Sequence, residues 1–491
     1  MGAQTAIVLS IIAAYLGIII AIGVYSTRFS RRTMEDYHMG SREFGVLVLF
    51  CAVFGANTSA VAFIGIPGQA YHVGWIAGPY FITCQAWLAP LLFYVVGSRA
   101  WALGKRHGLM TQAEVVSARW QSPGLGMLIS IVIIVYTIPY LMIGLRGAGL
   151  TLAALTEGFI PFWMGAFIVA GIVLTYLVLG GMRGAAWVNV LQSGVFLAGG
   201  LIIFGAVASV LGGPTAATAR VYEDFPELIS RTTMSWQQFF SYGFIVALAN
   251  PMFPQLFMRL LTGRDPKSLK QTIRIYPLSM FIVIFLMATL GMWGRPVVPG
   301  LEGAASDAIL PLLLAQYTPV WVTGVLGAAV VAAMMSTMDS QLLSVTTIIV
   351  RDFLYRTRLR FESEASLVRL SRGLMIVITA AAYALALVNP YGVIAVVEFA
   401  FAGFACLLAP TLGALYWRRC TARAAVLSIV VSQTVLVGLT TGFIDPRWTF
   451  GFLPGLPALI VGLVVLVAAG YLPASASARN AEYLRASPQT P

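Results

Sequence analysis

The chain has 491 residues, of which 59% are hydrophobic and only 10% charged, with a mean hydropathy of +0.87. Values of this kind exclude an ordinary soluble globular domain and imply a polytopic membrane protein. The formal charge of +12 would suit a nucleic-acid partner only if the basic residues gathered on one soluble face, and they are spread over the connections instead.

Apolar runs of about 20 residues, the length that spans a bilayer as a helix, fall near 5–25, 44–68, 74–98, 125–154, 158–179, 185–211, 236–258, 272–293, 318–349, 367–388, 391–416, 422–442 and 450–472. Thirteen helices are therefore predicted, and the lack of alternation within the runs favours helices over barrel strands. The first run has neither a basic leader nor a small-residue cleavage site, so it reads as a helix and not as a signal peptide. With the N-terminus outside, every basic residue but Arg146, Arg220, Arg231, Arg295 and Arg447 falls in a cytoplasmic connection or the tail. Arg259 is placed in this set, in the connection after the seventh helix. The positive-inside rule thus supports an odd helix count with the C-terminus inside. Cys51, Cys84, Cys406 and Cys420 have no pairing or metal spacing and read as packing residues.

Two spans carry helix breakers at their centres. The second reads GANTSAVAFIGIPGQAY, with Gly55, Gly65, Pro67 and Gly68, and the seventh reads SYGFIVALANPMFPQLFMR, with Gly243, Asn250, Pro251 and Pro254. Proline lacks an amide donor, and in lipid the backbone group it frees must be satisfied by protein, water or an ion. Interrupted helices at matching places of two five-helix halves point to an inverted-repeat transporter with its binding site beside the breaks. Kinking for close packing is the competing reading of either helix alone.

The ninth span contains AAMMSTMDSQLL, where Ser336, Thr337, Asp339 and Ser340 interrupt an apolar run. At spacings of three and four residues these side chains share one broad helix face. Polar groups inside a membrane helix usually face a cavity, a partner or an ion. A small hard cation such as Na+ wants several oxygen ligands, which hydroxyls on one helix and carbonyls of a broken one can supply. Hydrogen bonding back to the preceding turn accounts for the same spacing without an ion.

Five blocks in order, GANTSAVAFIGIPGQAY after DYHMGSREFG, LVLGGMRGAAWVNVLQ, PQLFMR, AAMMSTMDSQLL with RDF, and EFAFAGFACLLAPTLGALYWRR, resemble the sodium:solute symporter family over roughly residues 35 to 425. The resemblance implies an all-α polytopic membrane protein with a LeuT-like 5+5 inverted-repeat core. That core would occupy 44–416, with repeats 44–211 and 236–416. It would follow an extra helix and loop (1–43) and precede two further helices (417–472) and a short cytoplasmic tail (473–491). The implied sodium site uses carbonyls of Gly55, Thr58 and Ala333 and hydroxyls of Ser336 and Thr337. Some relatives hold a second sodium with an acid in the sixth helix, where this chain has Asn189; a relocated site would use Asn189, Ser336, Asp339 and Ser340.

Solute candidates near the expected cavity are Asn57, Ser59, Gln85, Arg146, Asn250 and Glu398. Arg146 either binds a carboxylate, as sialic acid transporters of the family do with an Arg nearby, or snorkels outward. Glu398 either lines the solute path or packs as a protonated acid. Val61, Ala62 and Ala249 stand where sugar carriers have polar or aromatic residues, which disfavours a hexose, and Val246 and Asn250 disfavour an unmodified proline site. The sequence therefore predicts a Na+-coupled symporter in the plasma membrane, with partners limited to a small-molecule solute, sodium and the lipid bilayer, and no nucleic acid. A small organic anion such as a monocarboxylate is expected. An amino acid or pantothenate-like acid, and coupling to protons through Asp339 or Glu398, are the alternatives. A sensor is more distant, since the tail is too short for a signalling module. An enzyme is disfavoured because no nucleophile, base and orienter can be assembled inside the spans.

Overall fold

A computed structural model describes residues 3–29, 33–354, 364–389 and 391–471. The tail predicted over 473–491 and Arg31, Arg32, Arg356, Arg358 and Arg360 lie outside these residues. The principal helices are α1 (Ala3–Ser26), α2 (Val46–Asn57), α3 (Ile66–Val73), α4 (Pro123–Leu155), α5 (Phe162–Val210), α6 (Trp236–Ala249), α7 (Pro254–Leu261), α8 (Pro266–Val297), α9 (Val320–Ile348), α10 (Glu364–Val388), α11 (Val393–Ala405), α12 (Leu408–Tyr416), α13 (Ala422–Thr440) and α14 (Gly455–Gly470). Among the described residues nine helices are long and apolar enough to cross a membrane, and the pair α6 and α7, bent by 47°, makes a tenth.

This count is three lower than the thirteen predicted from hydropathy: α14, at 16 residues, is shorter than a full span, and the other two differences have a local reason. Two predicted boundaries fall inside continuous helical runs, 61–107 and 162–210, which turn sharply without a loop. The turns sit at Gly74 (φ 71°) and Gly181 (φ 53°). A Cβ at Gly74 would collide with the Leu228 carbonyl, and one at Gly181 would lie 2.7 Å from the Tyr37 carbonyl oxygen. Only glycine meets both demands, a left-handed backbone and no side chain.

The broken helices follow the sequence signals, with one displacement. α2 ends at Asn57, Thr58 adopts an extended ψ of 90°, and winding resumes as a wide π turn over Val61–Gly65 before α3. The interruption therefore lies at 58–59, upstream of Pro67. Pro67 falls at the start of α3, where the π turn gives way to α-helical winding. The second break spans Asn250–Phe253, with Phe253 extended (ψ 125°) and Pro254 opening α7.

α9 forms the centre of the bundle. In its most apolar stretch 83% of residues are buried, against 28% in α1, and it packs on α1, α4 and α5. Its polar residues consequently face protein on every side, so each polar atom needs a partner within the fold.

Candidate ion and solute sites

The break in α2 and the middle of α9 meet directly. Ser336 is fully buried, and its hydroxyl reaches the Gly55 carbonyl at 2.9 Å and the Ala333 carbonyl at 3.0 Å. One hydroxyl hydrogen cannot serve both acceptors fully, so carbonyl lone pairs converge here in excess of donors. Thr337, the next residue, has a buried hydroxyl with no hydrogen-bond partner. Thr58 is also fully buried, at the residue where the helix opens. An unpaired buried hydroxyl costs about 1–3 kcal/mol, and a cation accepting its lone pair would remove that cost. The donor set, neutral oxygens only, fits a small monovalent hard cation. Gly55, Ala333 and Ser336 are thus in contact, while the Thr58 hydroxyl lies 3.6 Å from Met280 Sδ and Thr337 follows Ser336 in the chain. Thr337 also borders a very small cavity, about 10 Å³, with Ser59, Tyr140 and Gln341.

Three predicted solute residues form a second cluster on the neighbouring turn. The Asn57 amide, at the last position of α2, donates to Gln85 Oε1 at 2.9 Å and to Asn250 Oδ1 at 2.9 Å, and also contacts the Tyr276 hydroxyl. Gln85 lies in a π turn, Ile82–Leu88, a widening that often marks functional positions. Asn250 is held by donating to the Val246 carbonyl at 2.7 Å. An amide carries two N–H groups, and three oxygens surround this one, so it cannot donate fully to all of them.

The remaining candidates stand apart. Ser59 caps its own break by accepting the Val61 N–H at 3.0 Å. Arg146 donates to the Asn389 carbonyl at 3.1 Å and lies 3.7 Å from Asp307, whose carboxylate also accepts the Val393 N–H at the start of α11. The guanidinium expected to bind a solute carboxylate therefore has a carboxylate of the chain beside it, while its buried Nε makes no hydrogen bond. Glu398 faces a second cavity of about 140 Å³ walled by Tyr242, Val246, Phe401, Leu436 and Thr440; Val246, whose carbonyl holds Asn250, joins it to the amide cluster.

The relocated sodium site meets a specific obstacle. Asp339 accepts from Tyr176 at 3.1 Å and from Ser340 at 2.7 Å. Arg259 Nη2 donates to the Ser340 hydroxyl at 2.8 Å and stands 3.7 Å from Asp339. Asn189 is fully buried, its side-chain oxygen against Gly55, with neither amide atom hydrogen-bonded. The carboxylate expected to hold Na+ already has a cation. Arg259 itself is a correction to the sequence reading, which put it in a cytoplasmic connection: it is 1% exposed.

Comparison with known proteins fits this arrangement. The sodium:solute symporter family matches residues 37–432. The chain belongs to that family. It is 28% identical over 467 residues to the sodium/pantothenate symporter of Escherichia coli, covering 93% of this chain and 94% of that one. It is 25% identical over 489 residues to the E. coli sodium/proline symporter, covering 94% and 93%. Among solved structures it is similar to the substrate-bound outward-open state of a Na+-coupled sialic acid symporter, with a TM-score of 0.79 at 19% identity over 96% of this chain and 99% of that one; at that identity the likeness concerns the fold alone. As a sodium:solute symporter the protein is a multi-pass membrane transporter and not an enzyme.

Sequence reasoning missed Arg259, Tyr176 and Tyr276 in this symporter. Arg259 had a usable signal: PQLFMRLL is apolar on both sides of the Arg, which a loop residue after a span would rarely be. The tyrosines had none, because an amphipathic phenol looks the same in a core as in a site.

Proposed function

We propose that this symporter carries a small polar organic acid bearing amide and hydroxyl groups, pantothenate-like in chemistry, together with Na+ by alternating access. The observation that carries this reading is the uncharged cluster of Asn57, Gln85, Asn250 and Tyr276 between the two helix breaks. Such a cluster offers hydrogen-bond donors and acceptors in fixed directions and rejects solutes that leave them unpaired. The similarity to a sodium/pantothenate symporter supports the same class. A simple monocarboxylate, expected from Arg146, loses that support because the guanidinium is paired with Asp307.

In this reading Na+ is held by the carbonyls of Gly55, Thr58 and Ala333 and the hydroxyls of Ser336 and Thr337. Asn57 lies between two of those carbonyls, so ion and solute order the same short segment. Each then raises the other's affinity by an equal factor. The bundle is read as thirteen spans, dividing the long runs at Gly74 and Gly181 and counting α14, with repeats 44–211 and 236–416, the N-terminus outside and the C-terminus inside. The two interrupted helices, one in each repeat, support it.

Uptake of labelled pantothenate, proline and lactate into proteoliposomes under an inward Na+ gradient tests the solute class. Accumulation of pantothenate above equilibrium, with no lactate accumulation, is expected. Lactate accumulation without the others would overturn the proposal.

A further inference from the structure

The cluster around Asp339 holds more polar groups than the helix needs. Asp339 sits on α9 three residues beyond Ser336, fully buried, accepting from Ser340 and Tyr176 with the Asn189 side chain beside it. The Ser340 hydroxyl also lies 3.0 Å from the Ser336 carbonyl, which links this cluster to the residue at the centre of the sodium site. A carboxylate, a hydroxyl and an amide oxygen in such proximity form the kind of set that takes a hard cation. Instead, α7 inserts Arg259 after the second helix break, with its Nη2 on Ser340 and near Asp339. Its other terminal nitrogen, Nη1, is buried without an acceptor. A guanidinium buried with so few hydrogen bonds is poorly repaid by structure alone, since burying a charge is costly unless its donors are satisfied.

We propose that Arg259 is a tethered cation: the guanidinium occupies, covalently attached, the place of a second sodium ion beside the first, and so sets the number of Na+ bound per chain at one. The pair leaves the cluster electrically neutral before Na+ arrives. It also ties α7 to α9, so the second broken helix is held to the same helix that receives Na+ from the first. Removing the guanidinium while keeping Asp339 leaves a buried negative charge beside Ser336, Ser340 and Asn189. A free Na+ then fills it. The inference rests on the sodium site proposed above, and its test separates the two.

The test is a count of bound 22Na+ per chain on the purified full-length protein in nanodiscs, at saturating Na+. The wild type and Arg259→Lys should each bind one ion, Arg259→Gln two, and the double variant Arg259→Gln with Asp339→Asn one. Two ions on the wild type, or one on Arg259→Gln, would overturn the tethered cation and leave the first site standing. No bound ion on the wild type would overturn both. Should Arg259→Gln fail to fold, Asp339→Asn alone decides: one ion supports the inference, and loss of the ion shows that Asp339 is itself the ligand.

Discussion

Replacing Ser336 by Ala is the most informative single change at the proposed sodium site. Without Na+, the substitution removes one buried hydroxyl shared between the Gly55 and Ala333 carbonyls, at 2.9 and 3.0 Å, a loss of about 1 kcal/mol of stability. With Na+ bound, it removes in addition an oxygen that contacts a charge, and hydrogen bonds or contacts to charged groups are worth about 1.5–3 kcal/mol. Ser336 is fully buried, so no bulk water takes its place. The additional loss applies only to the ion-bound state and therefore appears as affinity. At about 1.4 kcal/mol per tenfold, the Na+ concentration for half-saturation should rise roughly 10- to 150-fold. Titration of 22Na+ binding to purified protein reads this directly. Ser344→Ala is the control: that hydroxyl, on the same helix and equally buried, bonds only the Ser340 carbonyl at 2.7 Å, and its removal should change half-saturation by less than about twofold. A Ser336→Ala value within twofold of wild type, or an equal loss in Ser344→Ala, would refute the assignment.

Thr337→Val removes the unpaired hydroxyl while keeping the side-chain shape, so the Na+-free protein should melt at a higher temperature, by up to about 1–3 kcal/mol of stability, and lose most of the further rise that Na+ gives the wild type. A fall in the Na+-free melting temperature would show the hydroxyl is not orphaned. Asn57→Ala strips the donors from Gln85, Asn250 and Tyr276 and should weaken solute binding at least tenfold, about 1.4 kcal/mol, in an equilibrium binding assay at saturating Na+; unchanged binding would move the solute site elsewhere. His38, in the connection between the first two spans, is buried between Thr347 (2.5 Å) and Ser371 (3.1 Å). Burial first, and then nearby Arg351, hold its pKa down to about 3, against about 6.5 in an unfolded chain. Its contribution is complete above about pH 6.5 and is lost as pH falls toward 3, because the unfolded chain takes up the proton first. Melting curves should therefore show a shallower loss of stability between pH 6.5 and 4 for His38→Gln than for wild type, and parallel slopes would contradict this.

Local signals in the sequence account for much of the arrangement. Both helix breaks are visible as Gly, Pro and Asn clusters, because what interrupts a helix is the chemistry of the residues at the break. The exact turn was less visible: the chain opens at Thr58 and uses the π turn at 61–65 to absorb Pro67. The convergence of Gly55 with Ser336 came from family motifs and not from spacing, since contact between residues 281 apart in the chain is a property of the packed bundle. Arg146 and Arg259 show the limit most clearly. Hydropathy and the positive-inside rule treat an Arg as a cost to be exported, whereas in the fold each is retained by one remote carboxylate, Asp307 and Asp339. Pairing of that kind depends on helices that come together only in the tertiary structure.

The central claim is that Na+ bound between the broken second helix and α9 drives solute movement. It is tested most directly by proteoliposome uptake of the accumulated solute under two gradients applied separately. With an inward Na+ gradient, accumulation above equilibrium is predicted, abolished when choline replaces Na+ and shifted to higher Na+ concentrations in Ser336→Ala. Equal accumulation driven by a pH gradient in Na+-free buffer, unaffected by Ser336→Ala, would contradict it.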